Sequence, residues 1–143
     1  MALSTHDALL HIMLLAAFSD TAASDIELGE IEEIIGHWPV FAGFDSGRLA
    51  EVATGWEARL NGSDGLEGVL EGAVEALPKR LHDTAYALAV DIAVADLELG
   101  QEELRLLEML RDRLDLDRLV TAAIEAAARA RHKRLEPPQP QAQ

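Results

Sequence analysis

The residues of this chain best suited to chemistry are two aspartate–glutamate pairs, Asp20 with Glu27 and Asp96 with Glu103, each seven positions apart. Each pair runs from the end of one apolar stretch to the start of the next, which is the span of a helix–loop–helix corner. Such a corner gathers carboxylates from two helices around backbone carbonyls that neither helix uses. That oxygen set suits a hard cation, Ca²⁺ or Mg²⁺, with Zn²⁺ as a further candidate. Asp25, Glu30 and Glu98 are close enough in sequence to add oxygens. A metal-free reading stands beside this one. Glu27 and Glu103 fall at the third position of their helices, where a glutamate caps its own helix and complements the dipole, and Asp20 and Asp96 are then turn formers. The loop is shorter than an EF-hand loop and lacks its alternating oxygen ligands and its glycine.

Histidines supply the second set. His11 and Asp91 are strongly polar residues inside apolar stretches, and a charge so placed needs a partner. If the two stretches cross at equivalent midpoints, His11 meets Asp91 in a buried hydrogen bond that keeps the helices in register. The same crossing sets His82-Asp83 near Asp20 and His6-Asp7 near Asp96, offering each corner a histidine from the other half. Arg129, Arg131, His132, Lys133 and Arg134 form a basic run whose first role is to complement a helix C-terminus, with head-to-tail contact to another copy or docking on a membrane complex as further roles. Trp38, Phe41, Phe44 and Trp56 read as a satellite core that pins a loop.

The elements that must position these groups are helices. Ser4 with Asp7 caps a run to about Ser19, and Ser24-Asp25-Ile26-Glu27 is a capping box for a helix carrying Leu28, Ile31, Ile34 and Ile35 to Trp38-Pro39. Asp45-Ser46 opens a third helix ending at Asn61-Gly62. A glycine-rich fourth follows from about Ser63 to Ala76. Pro78 opens a fifth with its core from Ala85 to Ala95, Gly100 precedes a sixth, and Asp117 starts a seventh that reaches Arg129–His132. The expected domain is 1–132, with 133–143 a disordered tail because Glu136-Pro-Pro-Gln-Pro-Gln-Ala-Gln has no hydrophobic period.

Sliding the chain against itself by 76 positions pairs His6-Asp7 with His82-Asp83, Asp20 with Asp96, Glu27-Leu28 with Glu103-Leu104, and Glu32 with Glu108. Apolar positions follow, Ile31 with Leu107 and Ile34 with Leu110 among them. The fold expected is therefore all-α: a compact bundle of about seven helices, two pseudo-symmetric three-helix halves joined by a connecting helix.

Composition agrees with helices and limits partners. Of 143 residues 49 % are hydrophobic, chiefly Ala and Leu, and only 4 % aromatic. With 26 acidic against 12 basic side chains the net charge is −14, so nucleic acid and anionic lipid are repelled, and cations or basic protein surfaces are favoured. The absence of cysteine excludes thiolate chemistry. The apolar stretch Ala8 to Phe18 is too short to cross a bilayer and follows no basic region, which points to a cytoplasmic protein. With no phosphate loop, nucleophile elbow or His-Glu zinc motif, an enzyme is not expected.

The stretch Ala85-Tyr-Ala-Leu-Ala-Val-Asp-Ile-Ala-Val-Ala-Asp96 followed by Glu103, with Ala17-Phe-Ser-Asp20 and Glu27 as its first-half counterpart, resembles the tellurite-resistance TerB-like family up to about Leu135. The resemblance implies an internally pseudo-symmetric helical fold, divalent-cation binding through Asp20, Glu27, Asp96 and Glu103, and a stress-response role exercised through protein assembly. Thr21 and Leu97 follow the two aspartates where that family commonly has glycine. The alternative is a metal-free structural or protein-interaction domain, and self-association is open under either reading.

Overall fold

A computed structural model of the chain describes residues 3–18, 25–95 and 101–135. Among them are seven α-helices and no strand: α1 (Thr5–Ala17), α2 (Asp25–His37), α3 (Leu49–Asn61), α4 (Gly65–Ala76), α5 (His82–Ala95), α6 (Gln101–Leu114) and α7 (Arg118–Arg131). The chain is an all-α compact bundle, as the composition and periodicity predict.

Two helices form its centre. Every residue of α1 from Ala8 to Ala16 is buried, and α5 buries Ala85, Tyr86 and the run Leu88 to Ala93. A helix apolar around its whole circumference must be covered on all sides. Accordingly α1 packs on α3, α4, α5 and α6, while α5 packs on α1, α6 and α7. The outer helices bury single stripes, such as Leu106, Leu107, Leu110 and Leu114 of α6. Among the described residues no helix is long and apolar enough to cross a membrane.

The starts obey local chemistry. The Ser4 hydroxyl accepts from Asp7 N–H at 3.1 Å, and the Asp117 carboxylate accepts from Leu119 N–H at 2.8 Å. Asp45 and Pro78 begin not α-helices but single 3₁₀ turns, Ser46–Arg48 and Lys79–Leu81, that run directly into α3 and α5. The α1 helix ends at Ala17, two residues before the expected Ser19, with Phe18 turned into the core against Trp56. The expected Ser24 cap of α2 lies outside the described residues, as do residues 136–143 of the expected tail.

Candidate functional site

Of the four expected cation ligands, Asp20 and Asp96 lie outside the described residues. Glu27 is on the first turn of α2, its side chain again outside them. Glu103 is on the first turn of α6 and buried, 9 % exposed. Among the described residues no three His, Asp or Glu side chains are grouped so as to hold a metal ion.

Among the described residues, polar side chains gather around Asp91. This carboxylate, nine-tenths buried on the last half of α5, accepts from Arg131 Nη2 at 2.9 Å and from His132 Nε2 at 3.0 Å. The expectation that His11 would meet Asp91 is thus corrected. The basic run at the end of α7, read from sequence as a complement to the helix dipole, supplies the counter-charge instead. The signal was present, because a carboxylate in an apolar helix calls for a cation, and the densest cations in the chain are Arg129 to Arg134.

A cleft of about 390 Å³ opens over this pair, walled by Glu30, Glu33, Ile34, His37 and Trp38 from the end of α2 and by Asp91, Ala95, His132 and Arg134. The ring orientations are fixed by their acceptors. A carbonyl oxygen can only accept, so His37 donates from Nδ1 to Glu33 C=O at 2.7 Å, and in its neutral form Nε2 is left as the acceptor. His132 donates from Nε2 to Asp91. The groups that line the cleft among the described residues, carboxylates, imidazoles and a guanidinium, are suited to hydrogen bonding and charge pairing.

His6 and His82 each hold a backbone carbonyl, while Asp96 and Asp20, which they were expected to approach, lie outside the described residues. His6 Nε2 donates to Val40 C=O at 2.9 Å, its ring stacked 5.6 Å from Phe41 and edge-on to Phe44. His82 Nδ1 donates to Leu114 C=O at 3.3 Å. The two histidines, 76 positions apart in sequence, bond carbonyls just beyond the end of α2 and at the last residue of α6 respectively. The expected separate cluster of four aromatics is not formed. Phe41 and Phe44 pack on each other and on His6 at the edge of the one core, with Arg48 over the Phe44 ring and paired to Asp7, while Trp56 packs on Phe18.

His11 is 4 % exposed and its Nδ1 has no hydrogen-bond partner. Burial, reinforced by the positive charge of Arg59 and opposed by Asp7, pushes its pKa down to about 4, so it is neutral in the fold. Trp56 Nε1, on α3, is likewise buried and unpaired.

On the other side of Trp38 lies a second, mainly apolar groove of about 530 Å³. Its walls are Trp38, Pro39 and Val40, Ala87 of α5, and Val120, Ala123 and Ile124 of α7, with Asp83 and Thr84 as polar members. Comparison with family models, with curated proteins and with solved structures finds no match to this chain.

Proposed function

We propose that this chain is a TerB-like, cytoplasmic, non-catalytic module that binds a divalent cation at its acidic helix corners and acts through protein assembly. Its two halves are then descendants of one three-helix unit. The observation that supports the cation reading is the burial of Glu103 on the first turn of α6, seven residues after Asp96. A carboxylate shielded from water interacts strongly with any charge that reaches it. The net charge of −14 adds a long-range attraction for cations. Duplication is supported by the pairing of like residues at an offset of 76 positions, and by His6 and His82 both donating to backbone carbonyls.

In the metal-free alternative Glu103 is a helix cap and the chain is a scaffold for protein partners. This reading draws support from the grouping of polar side chains around Asp91 rather than into a three-ligand cluster among the described residues.

The deciding experiment is calorimetric titration and thermal melting of metal-stripped protein with Ca²⁺, Mg²⁺, Mn²⁺ and Zn²⁺, repeated on Asp20→Asn/Asp96→Asn. A cation held at a hundred times its dissociation constant stabilises the fold by about 2.7 kcal/mol. Saturable heat and a raised Tm, both lost in the double variant, are expected. Neither heat nor shift in the parent chain would leave the scaffold reading standing.

A further inference from the structure

We propose that Asn61, at the end of α3, is a site of spontaneous deamidation: the backbone nitrogen of Gly62 closes on its side-chain amide, ammonia leaves, and the residue becomes a mixture of isoaspartate and aspartate. This does not depend on the cation reading.

The sequence concentrates this chemistry at one place. Asn61 is the only asparagine of the chain, and glycine follows it. Attack by the next backbone nitrogen on Cγ closes a five-membered ring, whereas a glutamine has to close a six-membered one. Glycine leaves that nitrogen unshielded by a side chain and lets the backbone turn into the attacking conformation.

The fold leaves the pair open to water. Asn61 is the last residue of α3, and Asn61, Gly62, Ser63 and Asp64 are all exposed. Within a helix the following amide nitrogen is held by the carbonyl four residues back, away from the side chain. Gly62 has left that geometry: its backbone is extended, at φ −90° and ψ −159°, and its N–H donates to Arg59 C=O at 3.2 Å. That bond belongs to the outermost turn, where opening costs little. The neighbouring Asp64-Gly65 pair is a poorer site. Its carboxylate would have to expel an oxygen rather than ammonia, and it is engaged by Arg59 at 3.2 Å.

The reaction consumes only water. A solvent base takes the proton from Gly62 N, the N–Cγ bond forms, and the Cγ–Nδ2 bond breaks as that nitrogen takes up a proton and departs as ammonia. Water then adds to either carbonyl of the succinimide. Opening on the main-chain side leaves isoaspartate, with an additional methylene in the backbone; opening on the side-chain side leaves aspartate. Either product places a new negative charge at the C-terminal end of α3, where the helix dipole is already negative, in a chain of net charge −14. Isoaspartate also displaces Gly62 from Arg59 C=O and lengthens the corner that the Arg59–Asp64 pair spans. The α3–α4 corner thus loosens as the molecule ages.

The test ages the folded full chain at neutral and at mildly alkaline pH and follows its tryptic peptide Leu60–Lys79 by mass spectrometry, with Asn61→Gln in parallel. Position 61 is exposed, so the variant should start with the Tm of the parent. We expect this peptide to gain the mass of an amide-to-acid conversion, with ammonia released in step. The gain should be faster at the higher pH, because the attacking nitrogen must lose its proton. A protease that cuts before aspartate but not before isoaspartate should leave part of the product uncut at position 61. The aged parent should melt below the fresh one, and aged Asn61→Gln should do neither. Asn61 still intact in the folded chain once the free peptide Leu60–Lys79 has been converted would overturn the inference, since the last turn of α3 would then protect it. An equal mass gain in the variant would do the same, and a converted chain that melts as the fresh one does would overturn the loosening of the corner.

Discussion

At the scale of single residues, His11 sets the response to acid. Its pKa is about 4 in the fold against an ordinary value of 6.5, so as pH falls through that window the unfolded chain takes up a proton that the folded chain refuses. Stability contributed by this site is complete above pH 6.5 and is lost progressively toward pH 4, by roughly 3 kcal/mol. His11→Leu should flatten this slope, measured as the difference between variant and parent in urea unfolding at pH 7, 5.5 and 4. It should also be neutral or stabilising at pH 7, because it removes a buried acceptor without a partner. An equal pH slope in both proteins would deny His11 that role. Asp91, unlike His11, has its hydrogen-bond partners met. Asp91→Asn keeps its size but weakens two charge-assisted bonds and should cost about 1–3 kcal/mol, with faster amide exchange in the last turn of α7. That both residues matter was legible from their types in apolar stretches. Their pairing was not, because Asp91 meets Arg131 and His132 from 40 and 41 positions away, and no local pattern in the sequence links residues so far apart.

At the scale of elements, α7 is joined to the bundle as much by polar ties as by burial. Its fully buried residues are Thr121 and Ala128, while Glu125 accepts from Tyr86 OH at 2.5 Å and from Arg111 Nη1 at 3.1 Å. The tyrosine hydroxyl, raised in pKa by burial and by its bond to Glu125, stays a donor throughout the accessible pH range. Tyr86→Phe removes that donor and should destabilise by about 1.5–3 kcal/mol, since the acceptor is charged; chemical denaturation of α7 monitored by amide exchange would show the loss centred there. In the exposed middle of α3, Gly55 has no heavy atom within 4 Å of where a Cβ would stand. Gly55→Ala should therefore stabilise by about 0.5–1 kcal/mol in thermal melting. Helix number, order and most bounds were legible because caps and periodicity are local. The 3₁₀ turns before α3 and α5 were not, since the same Asp-Ser and Pro signals serve either helix type.

At the scale of the whole molecule, a charge of −14 strains the compact state by self-repulsion. Tm should rise between 10 mM and 150 mM NaCl as screening shortens to about 8 Å. Mg²⁺ or Ca²⁺ at matched ionic strength should add a further rise only if a defined site exists, which separates screening from binding in the titrations above. A Tm unchanged by NaCl would show that the acids are spread widely enough for repulsion to be negligible. The electrostatic character was legible from composition alone. The location of the polar cleft was not, because it is assembled from the ends of α2, α5 and α7, far apart in the chain.

The central pairing of α1 with α5 also governs how the protein is made. The apolar circumference of α1 is closed partly by a helix whose first residue comes 77 positions later, His82 after Thr5. At ribosomal speeds of about 5–20 residues per second, α1 waits roughly 4–15 s for that partner. During this interval the nascent first half presents an uncovered hydrophobic rod, so a stalled or truncated product lacking α5 should be captured by chaperones rather than fold.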